Sequence, residues 1–245
     1  MILSDGAIKK AVEAKEIGIE PFDERGQLGP ASYDVTLHPK LLVRPSGRDG
    51  RWTRDIFEPL DLADVREQEY LTEYVMEDAR GYTMQPGEFL LASTHEYLTL
   101  GPAHAARVEG RSSLARVGLA VHVTGGFIDP GFSGQITLEM KNLLHRPVII
   151  YAGMSIAQIA FQVLDGPVER PYGERGRYQD QVGPTASRYY LPYGPDHVRW
   201  LYCTCWEGWA GTSTDWDRKV GQSAWCSLHE EHHMMCPSEE CCLEL

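Results

Sequence analysis

The sequence predicts an all-β fold, either a sandwich or a barrel, that follows one short helix. Many short segments rich in β-branched and aromatic residues follow one another, each bounded by Gly, Pro or Asp, and regular helices do not alternate with them. These segments are 32–37, 41–44, 88–93, 96–100, 106–109, 119–124, 135–140, 147–151 and 155–163. The length of 245 residues is sufficient for one domain with its own core and a small appendage.

The amino-terminal helix is predicted by the spacing of its apolar residues. Ile8, Ala11 and Val12 fall on one face because they lie three and four positions apart. Ser4 stands just before this pattern, where its hydroxyl is expected to cap the first turn. We expect the helix to end near Lys15.

Two segments lack a sustained period. Residues 45–80 are polar, charged and punctuated by Pro and Gly, which predicts a long connection containing one strand or helical turn. Residues 164–193 carry several prolines, glycines and tyrosines, and they predict an extended carboxy-terminal segment of the domain, called the arm below.

A change of composition near Pro195 predicts a second domain. All six cysteines and five of the six tryptophans lie beyond this point, so we divide the chain into 1–193 and a Cys-, His- and Trp-rich module at 194–245. Thiolates and imidazoles are the ligands of tetrahedral zinc sites, and a small module with little core gains stability from such a metal. The candidate ligands of a structural Zn²⁺ are Cys203, Cys205, Cys226 and His229. The alternative is a metal-free extension that docks on the domain or on a partner.

Charge and hydropathy narrow the functional classes. The formal net charge of -12 argues against nucleic-acid binding, which depends on clustered Lys and Arg. The amino terminus lacks the apolar stretch of a signal peptide, and no apolar run approaches the roughly 18 residues of a spanning helix. We therefore expect a cytoplasmic protein without a membrane contact. A small anionic substrate is compatible with this charge if local arginines and a divalent cation offset the overall field.

Polar chemistry is concentrated in residues 109–139. Arg111, Ser112 and Ser113, with Arg116 shortly after them, predict a turn that enters a short helix. Hydroxyls, backbone amides and guanidinium groups converge there in a way that suits an anion. Taken alone, the same turn is more typical of a capped surface loop, and the residues downstream favour the anion site.

The second half of this stretch predicts a nucleoside site. Gly125 and Gly126 allow the backbone to approach a flat base closely, and Asp129 follows them as an acceptor for a sugar hydroxyl. Glu139 ends an alternating strand, 135–139, whose odd positions share one face.

The motifs, taken in order, resemble the dCTP deaminase branch of the dUTPase-like superfamily over most of residues 1–190. They are Ala31-Ser32-Tyr33-Asp34-Val35, Pro86-Gly87-Glu88-Phe89, Gly110-Arg111-Ser112-Ser113-Leu114-Ala115-Arg116, His122-Val123-Thr124, Ile128-Asp129-Pro130-Gly131, Leu138-Glu139, Gly153-Met154 with Gln158, and Tyr178-Gln179-Asp180-Gln181. This resemblance implies a distorted β-barrel or jelly-roll of the dUTPase-like type, assembled as a homotrimer with active sites between subunits. It also implies hydrolytic deamination of a magnesium triphosphate, with Mg²⁺ as cofactor and without zinc in the chemistry.

The resemblance also implies a role for each matching residue. Glu139 is the general base that activates water for attack on C4 of cytosine, and Arg116 and Ser112 hold that carboxylate and the water. Asp129 binds the deoxyribose 3′-hydroxyl. The remaining substrate-binding positions are Arg111, Ser113, Thr124, Gly125, Gly126, Gln158, Tyr172, Tyr178, Gln179 and Gln181. The last four belong to the arm, which is expected to close over the triphosphate.

The residues before Asp129 bear on the product. Family members that stop at dUTP carry His-Arg directly before the Ile-Asp pair, whereas dUMP-forming members resemble the Gly126-Phe127 pair found here. The resemblance therefore favours conversion of dCTP to dUMP, ammonia and pyrophosphate, with Asp129 placing a second water at the α-phosphorus. The alternatives are a dUTP-forming dCTP deaminase, a dUTP diphosphatase and a nucleotide-sensing regulatory protein. Gly125 departs from the family, which usually has alanine there.

Overall fold

The protein is mostly β-structured, as the sequence predicts. A computed structural model describes residues 1–44, 71–77 and 80–188. The helices in these ranges are α1 (Asp5–Glu13), α2 (Ser112–Ala115) and α3 (Tyr172–Arg175). The strands are β1 (Ile17–Glu20), β2 (Tyr33–Thr36), β3 (Lys40–Val43), β4 (Thr72–Val75), β5 (Tyr82–Met84), β6 (Phe89–Leu100), β7 (His104–Gly110), β8 (Leu119–Ala120), β9 (Phe127–Ile128), β10 (Ser133–Asn142), β11 (Val148–Ile150) and β12 (Ser155–Val163).

Two sequence predictions fall wholly or largely outside the described residues. The first is the module at 194–245. Its candidate zinc ligands, which also stay predictions, are Cys203, Cys205, Cys226 and His229. The second is the connection 45–80, in which β4 is a described strand and so fulfils the expectation of one strand there.

The helix α1 packs its apolar face onto the core, with Ile8 and Ala11 buried as their spacing predicts. Ser4 occupies the N-cap position, but the prediction that its hydroxyl caps the helix is wrong. Its backbone carbonyl accepts the amide of Ile8 at 2.8 Å, and the Asp5 carboxylate accepts the neighbouring amide of Gly6 at 2.7 Å. None of the three described helices is long and apolar enough to cross a membrane.

The strands form three antiparallel sheets. The largest has six strands in the order β4-β3-β6-β10-β8, with β1 also paired to β6. The second has the order β2-β12-β7-β9, and β11 pairs with β5 in a separate ribbon. One cluster of buried apolar side chains joins the sheets, and Tyr33, Leu90, Leu138 and Phe161 lie fully buried within it. Burial of such side chains is the main stabilising contribution to a fold of this kind.

The expectation of a barrel is not met by the described strands. Closure requires the two edge strands of a sheet to pair with each other. In the part of the chain that the structure describes, β4 pairs with β3 alone and β8 with β10 alone, so this sheet does not close into a barrel. The short length of β8, two residues, leaves few ladder hydrogen bonds for closure.

The strand β6 merges two segments that the sequence separates, 88–93 and 96–100. The polar residues between these segments lie at a shift in the register of β6 against β10. Ser93 pairs with Thr137, whereas Tyr97 pairs with Gln135. The intervening residues 94–96 therefore lie opposite one residue of β10.

Buried polar side chains satisfy the backbone at this irregularity. Thr94 Oγ1 accepts the amide of Ile136 at 2.9 Å and donates to the carbonyl of Glu96 at 2.8 Å. The buried Glu96 carboxylate accepts hydrogen bonds from the amide and hydroxyl of Thr36 at 2.9 and 2.8 Å, and from Gln27 Nε2 at 2.6 Å. These contacts show why polar residues continue a central strand where a sequence pattern would end it.

The strand β10 carries Glu139 but does not end there, contrary to the prediction. It continues to Asn142, and Ile136, Leu138 and Met140 point into the core. Thr137 and Glu139 share the opposite face as expected. Gln135 does not belong with them, because the register shift lies between it and Thr137 and its side chain is buried.

Short strands are the elements that the sequence pattern locates least well. Among the described strands, β1, β5 and β9 are not among the predicted segments. The segment predicted as a strand over 119–124 is a strand only at Leu119–Ala120. Strands of two to four residues are defined by the neighbours that hydrogen-bond to them, so their own sequence carries little signal.

Candidate active site

A cavity of about 450 Å³ lies where β6, β9 and β10 meet the arm. Its walls combine apolar and aromatic side chains with two carboxylates, which is the composition of small-molecule sites. The lining residues are Phe89, Leu91, Gly125, Phe127, Ile128, Asp129, Phe132, Ile136, Thr137, Glu139, Tyr172, Tyr178, Gln181, Thr185 and Ser187.

Glu139 reaches the cavity from the middle of β10, where it pairs with Leu91 of β6. Its Oε1 atom lies 3.5 Å from the position that a Cβ atom of residue 125 would take. The carboxylate is therefore directed at the segment between β8 and β9. A rigid, paired strand holds a reactive group more precisely than a loop does.

Asp129 enters the same cavity directly after β9. Its carbonyl accepts the amide of Phe132 at 3.2 Å, so the carboxylate stands at the start of a tight turn. The side chain remains accessible to solvent, yet partial burial among the cavity's apolar groups raises the pKa of this carboxyl above the ordinary aspartate value.

The segment before β9 packs closely on β7. The Val108 amide donates to the Gly126 carbonyl at 2.8 Å. A Cβ atom at Gly126 would stand 3.0 Å from the Val108 carbonyl oxygen and 3.1 Å from Cε1 of His122, so glycine permits this approach. Beyond it, Phe127 lines the cavity and packs against the Arg107 guanidinium, whose carbon lies 5.3 Å from the ring centre.

The beginning of the arm forms the aromatic wall of the cavity. The Tyr172 amide donates to the Pro130 carbonyl at 2.8 Å, and its ring packs edge-on against Phe132 with centroids 5.5 Å apart. The Tyr172 hydroxyl in turn accepts the amide of Tyr178 at 3.2 Å. These contacts place Tyr172 and Tyr178, two of the predicted substrate-binding residues, in the cavity wall.

The rest of the described arm lies along β10. Gln179 Nε2 donates to the Gly131 carbonyl at 3.3 Å, and Gln179 Oε1 accepts the amide of Ser133 at 3.2 Å. Gln181 pairs in parallel with Gly134, and its Nε2 donates to the Gln135 carbonyl at 2.6 Å. Gln181 lines the cavity, whereas Gln179 is used in fastening the arm.

Several predicted residues lie elsewhere in the chain. Ser112, Ser113 and Arg116 are exposed at α2 and are not in the cavity wall, and no ion pair joins Arg116 to Glu139 in the described part of the chain. Thr124 is also exposed outside the wall. The expected turn into a short helix at Arg111 is confirmed, since α2 starts at the next residue.

Arg111 and Gln158 lie together at the sheet of β2, β12 and β7. The Arg111 guanidinium forms an ion pair with Asp34 and donates to Ser155 Oγ at 2.8 Å. Gln158 Oε1 accepts the hydroxyl of Ser32 at 3.1 Å, and its Nε2 donates to a backbone carbonyl of β7 at 3.2 Å. These two predicted residues are therefore positioned by their own strands, apart from the cavity.

The cavity includes residues that the sequence did not identify. Thr137 could have been found, because alternation along β10 places it on the same face as Glu139. Thr185 and Ser187 carried no such signal, since they follow the arm's irregular path. Phe89 stands in one of the motifs of the resemblance without an assigned role, and Leu91 has the pattern of an ordinary strand residue.

The family follows from residues 2–164, which match a family model described as dCTP deaminase-like. The chain belongs to the dCTP deaminase family. A similar relative is a protein named dCTP deaminase, dUMP-forming, from Corynebacterium glutamicum (strain R), with 43% identity over 198 residues that cover 79% of this chain and 98% of that protein. A protein named dCTP deaminase from Natronomonas pharaonis is 42% identical over 191 residues, covering 77% of this chain and 94% of that one.

A solved structure supports the fold of the dCTP deaminase family. The crystal structure of 2′-deoxycytidine 5′-triphosphate deaminase from Agrobacterium tumefaciens superposes with a TM-score of 0.50 at 23% identity. The superposition covers 66% of this chain and 48% of that one. At this identity the likeness concerns the fold only.

Proposed function

We propose that this protein deaminates dCTP hydrolytically and also cleaves the triphosphate, so that it forms dUMP, ammonia and pyrophosphate. The proposal rests on one observation. This chain, which belongs to the dCTP deaminase family, has a cavity where two carboxylates, Glu139 and Asp129, lie among apolar and aromatic side chains. Relatives that cover most of the chain, such as the one from Corynebacterium glutamicum, bear the dUMP-forming name.

Glu139 is the group best placed for the deamination step. As a general base it takes a proton from water, whose oxygen then attacks C4 of cytosine, and it delivers a proton to the departing nitrogen. The backbone near Gly125 stands opposite this carboxylate and is free to approach the edge of the base. General acid and base action of this kind contributes typically 10²–10⁴-fold to a rate.

Asp129 serves the sugar and the second step. Its carboxylate accepts the 3′-hydroxyl of the deoxyribose and orients a water toward the α-phosphorus, from which pyrophosphate leaves. The substrate is the magnesium complex of the nucleotide, in which phosphate oxygens and water supply most of the metal's ligands. The close packing of Gly126 on Val108 supports this assignment, because it sets the start of the segment that leads to Asp129.

The phosphate-binding and positioning residues come from a neighbouring copy in this proposal. Arg116, Ser112 and Ser113 are exposed at α2, outside the cavity of their own chain, so they are free to complete the cavity of another chain. A closed ring of three identical subunits repeats one such contact three times. Arg116 of one copy then faces Glu139 of the next, where an opposite charge favours the ionised carboxylate.

Product analysis of the full chain tests this function. Incubation with dCTP and Mg²⁺, followed by chromatography, is expected to show dUMP, pyrophosphate and ammonia in equal amounts. Accumulation of dUTP with ammonia would assign the dUTP-forming reaction instead. Conversion of added dUTP without any action on dCTP would assign a dUTP diphosphatase. Nucleotide binding with no product would leave the regulatory alternative.

The variant Glu139→Gln tests the assigned base in the same assay. We expect ammonia release to fall by roughly 10²–10⁴-fold because the amide cannot accept the water's proton. Nucleotide affinity, measured by calorimetry, is expected to change little. Turnover close to that of the unsubstituted protein would contradict the role of Glu139.

A further inference from the structure

Gly125 is a glycine that the backbone does not require. Gly131 has a φ of +83° and a Cβ there would lie 2.6 Å from Cβ of Pro171, so both conformation and packing demand glycine. Gly125 is not in the left-handed region. Among the described atoms beyond its chain neighbours, an added Cβ would have one neighbour within 4 Å, Oε1 of Glu139 at 3.5 Å. That distance is an ordinary van der Waals contact, so alanine fits the fold here.

The absent methyl group leaves space inside the cavity. Gly125 and Glu139 both line it, and the unfilled volume adjoins the carboxylate oxygen. Gly125 is exposed in the described chain, so this space is open to a ligand, and one methyl group at the wall of a site changes which ligands fit.

This inference rests on the proposed function. If Glu139 acts on C4 of cytosine, the position of the space beside Glu139 shows which part of the ligand it faces. Glu139 delivers a proton to the nitrogen that leaves C4, so that nitrogen lies within hydrogen-bond reach of the carboxylate. A methyl group on the same nitrogen is one bond further out. Space at Gly125, in contact with Oε1 of Glu139, is therefore suitably placed to receive it.

We propose that the site accepts cytosine deoxynucleotides methylated on the exocyclic nitrogen and hydrolyses them with release of methylamine. Water forms the new C4–O bond, the C4–N bond breaks, and Glu139 transfers one proton of the water to the departing methylamine nitrogen. The other proton of the water ends on N3 of the uracil ring. The uracil nucleotide is the same as that formed from dCTP. The reaction consumes one water and needs no further reactant.

The test compares N4-methyl-dCTP with dCTP in the full chain and in Gly125→Ala. For the unsubstituted protein we expect kcat/KM values for the two substrates within about tenfold of each other. In Gly125→Ala the ratio of the two values should shift against N4-methyl-dCTP by roughly 10- to 200-fold, the range for one methyl group in an apolar pocket. Methylamine and ammonia are quantified separately by chromatography.

Gly166→Ala is the matched control. A Cβ at Gly166 has no neighbour within 4 Å among the described atoms, and the residue is outside the cavity wall, so the ratio should not change. A parallel measurement with 5-methyl-dCTP checks the position, because a shift confined to that substrate would place the space at C5 and overturn the assignment.

Two results separate the failure of this inference from that of the proposed function. If the unsubstituted protein deaminates dCTP but uses N4-methyl-dCTP less than about one hundredth as well, the inference alone is wrong. An unchanged ratio in a folded Gly125→Ala protein, checked by circular dichroism, has the same meaning. If dCTP itself is not deaminated, the proposed function fails first.

Discussion

At the scale of single residues, the cavity holds two carboxylates in different settings. Glu139 projects from a paired strand, whereas Asp129 starts a turn beside Phe132 and has its pKa raised by partial burial. A raised pKa means that Asp129 takes up a proton at a higher pH than a solvated aspartate does. Only the ionised form accepts the 3′-hydroxyl without also competing as a donor.

Nucleotide binding should therefore weaken as the pH falls through the raised pKa of Asp129. The sign follows from the direction of the shift, since the ionised form is lost earlier than for an ordinary carboxyl with a pKa near 3.8. We expect this loss in calorimetric titrations of Glu139→Gln with dCTP, where turnover does not interfere. The control is the double variant Glu139→Gln with Asp129→Asn, in which only the nucleotide's own titration changes the affinity. Equal pH profiles for the single and the double variant would contradict the role of Asp129.

At the scale of secondary-structure elements, the arm and β10 act as one unit. The Gln135 side chain joins them, because its Oε1 accepts the Gly183 amide at 2.5 Å and its Nε2 donates to the His95 carbonyl at 2.8 Å. Further along, the Thr185 amide donates to Thr137 Oγ1 at 3.2 Å. The register shift in β6 brings the His95 carbonyl within reach of this buried amide.

Gln135→Ala should loosen the arm without entering the cavity wall. The change leaves the buried Gly183 amide without its partner, at a cost of about 1–3 kcal/mol. We expect faster hydrogen exchange of the amides of 181–185 and a higher KM for dCTP. Gln162→Ala, on β12, is the control in another sheet. If hydrogen exchange in the arm is unaltered in Gln135→Ala, the backbone pairing of the arm with β10 is sufficient to hold the arm in place.

The same elements show what the sequence predicts and what it misses. The spacing of Ile8 and Ala11 and the alternation around Leu138 identify a helix and a strand, because each repeats its period in the local sequence. The merging of two segments into β6 depends on partners of Glu96 distant in sequence. Likewise, Glu139 and Asp129 stand in motifs, whereas Thr185 reaches the cavity only through the path of the arm.

At the scale of the whole molecule, the residues predicted for the site lie at three separate places. The cavity that Glu139 lines is bounded in part by β10 and the arm. Arg116 is exposed at α2 and is not among the lining residues. Arg111 is held by Asp34 and Ser155 at a third place. In the proposed homotrimer, such separate surfaces are brought together by rotation about one axis.

Mixing two inactive variants tests this division. Glu139→Gln and Arg116→Ala are each expected to lose deamination as homotrimers. Subunits exchanged at equal amounts should recover about a quarter of the unsubstituted activity, because one interface in four then combines an intact Glu139 with an intact Arg116. Recovery requires that the two residues come from different chains. An inactive mixture, with hybrid trimers verified by mass spectrometry, would contradict a shared site.

The fastening of the arm to β10 also affects the thermodynamics of ligand capture. The arm makes hydrogen bonds to Ser133, Gln135 and Thr137 of the same chain, so we expect its conformational entropy to be lost when the chain folds. Nucleotide binding then does not include the free-energy cost of ordering a segment that folds around its ligand. The arm also supplies part of the cavity wall, so a stabilised arm holds those contact residues in place before the nucleotide binds.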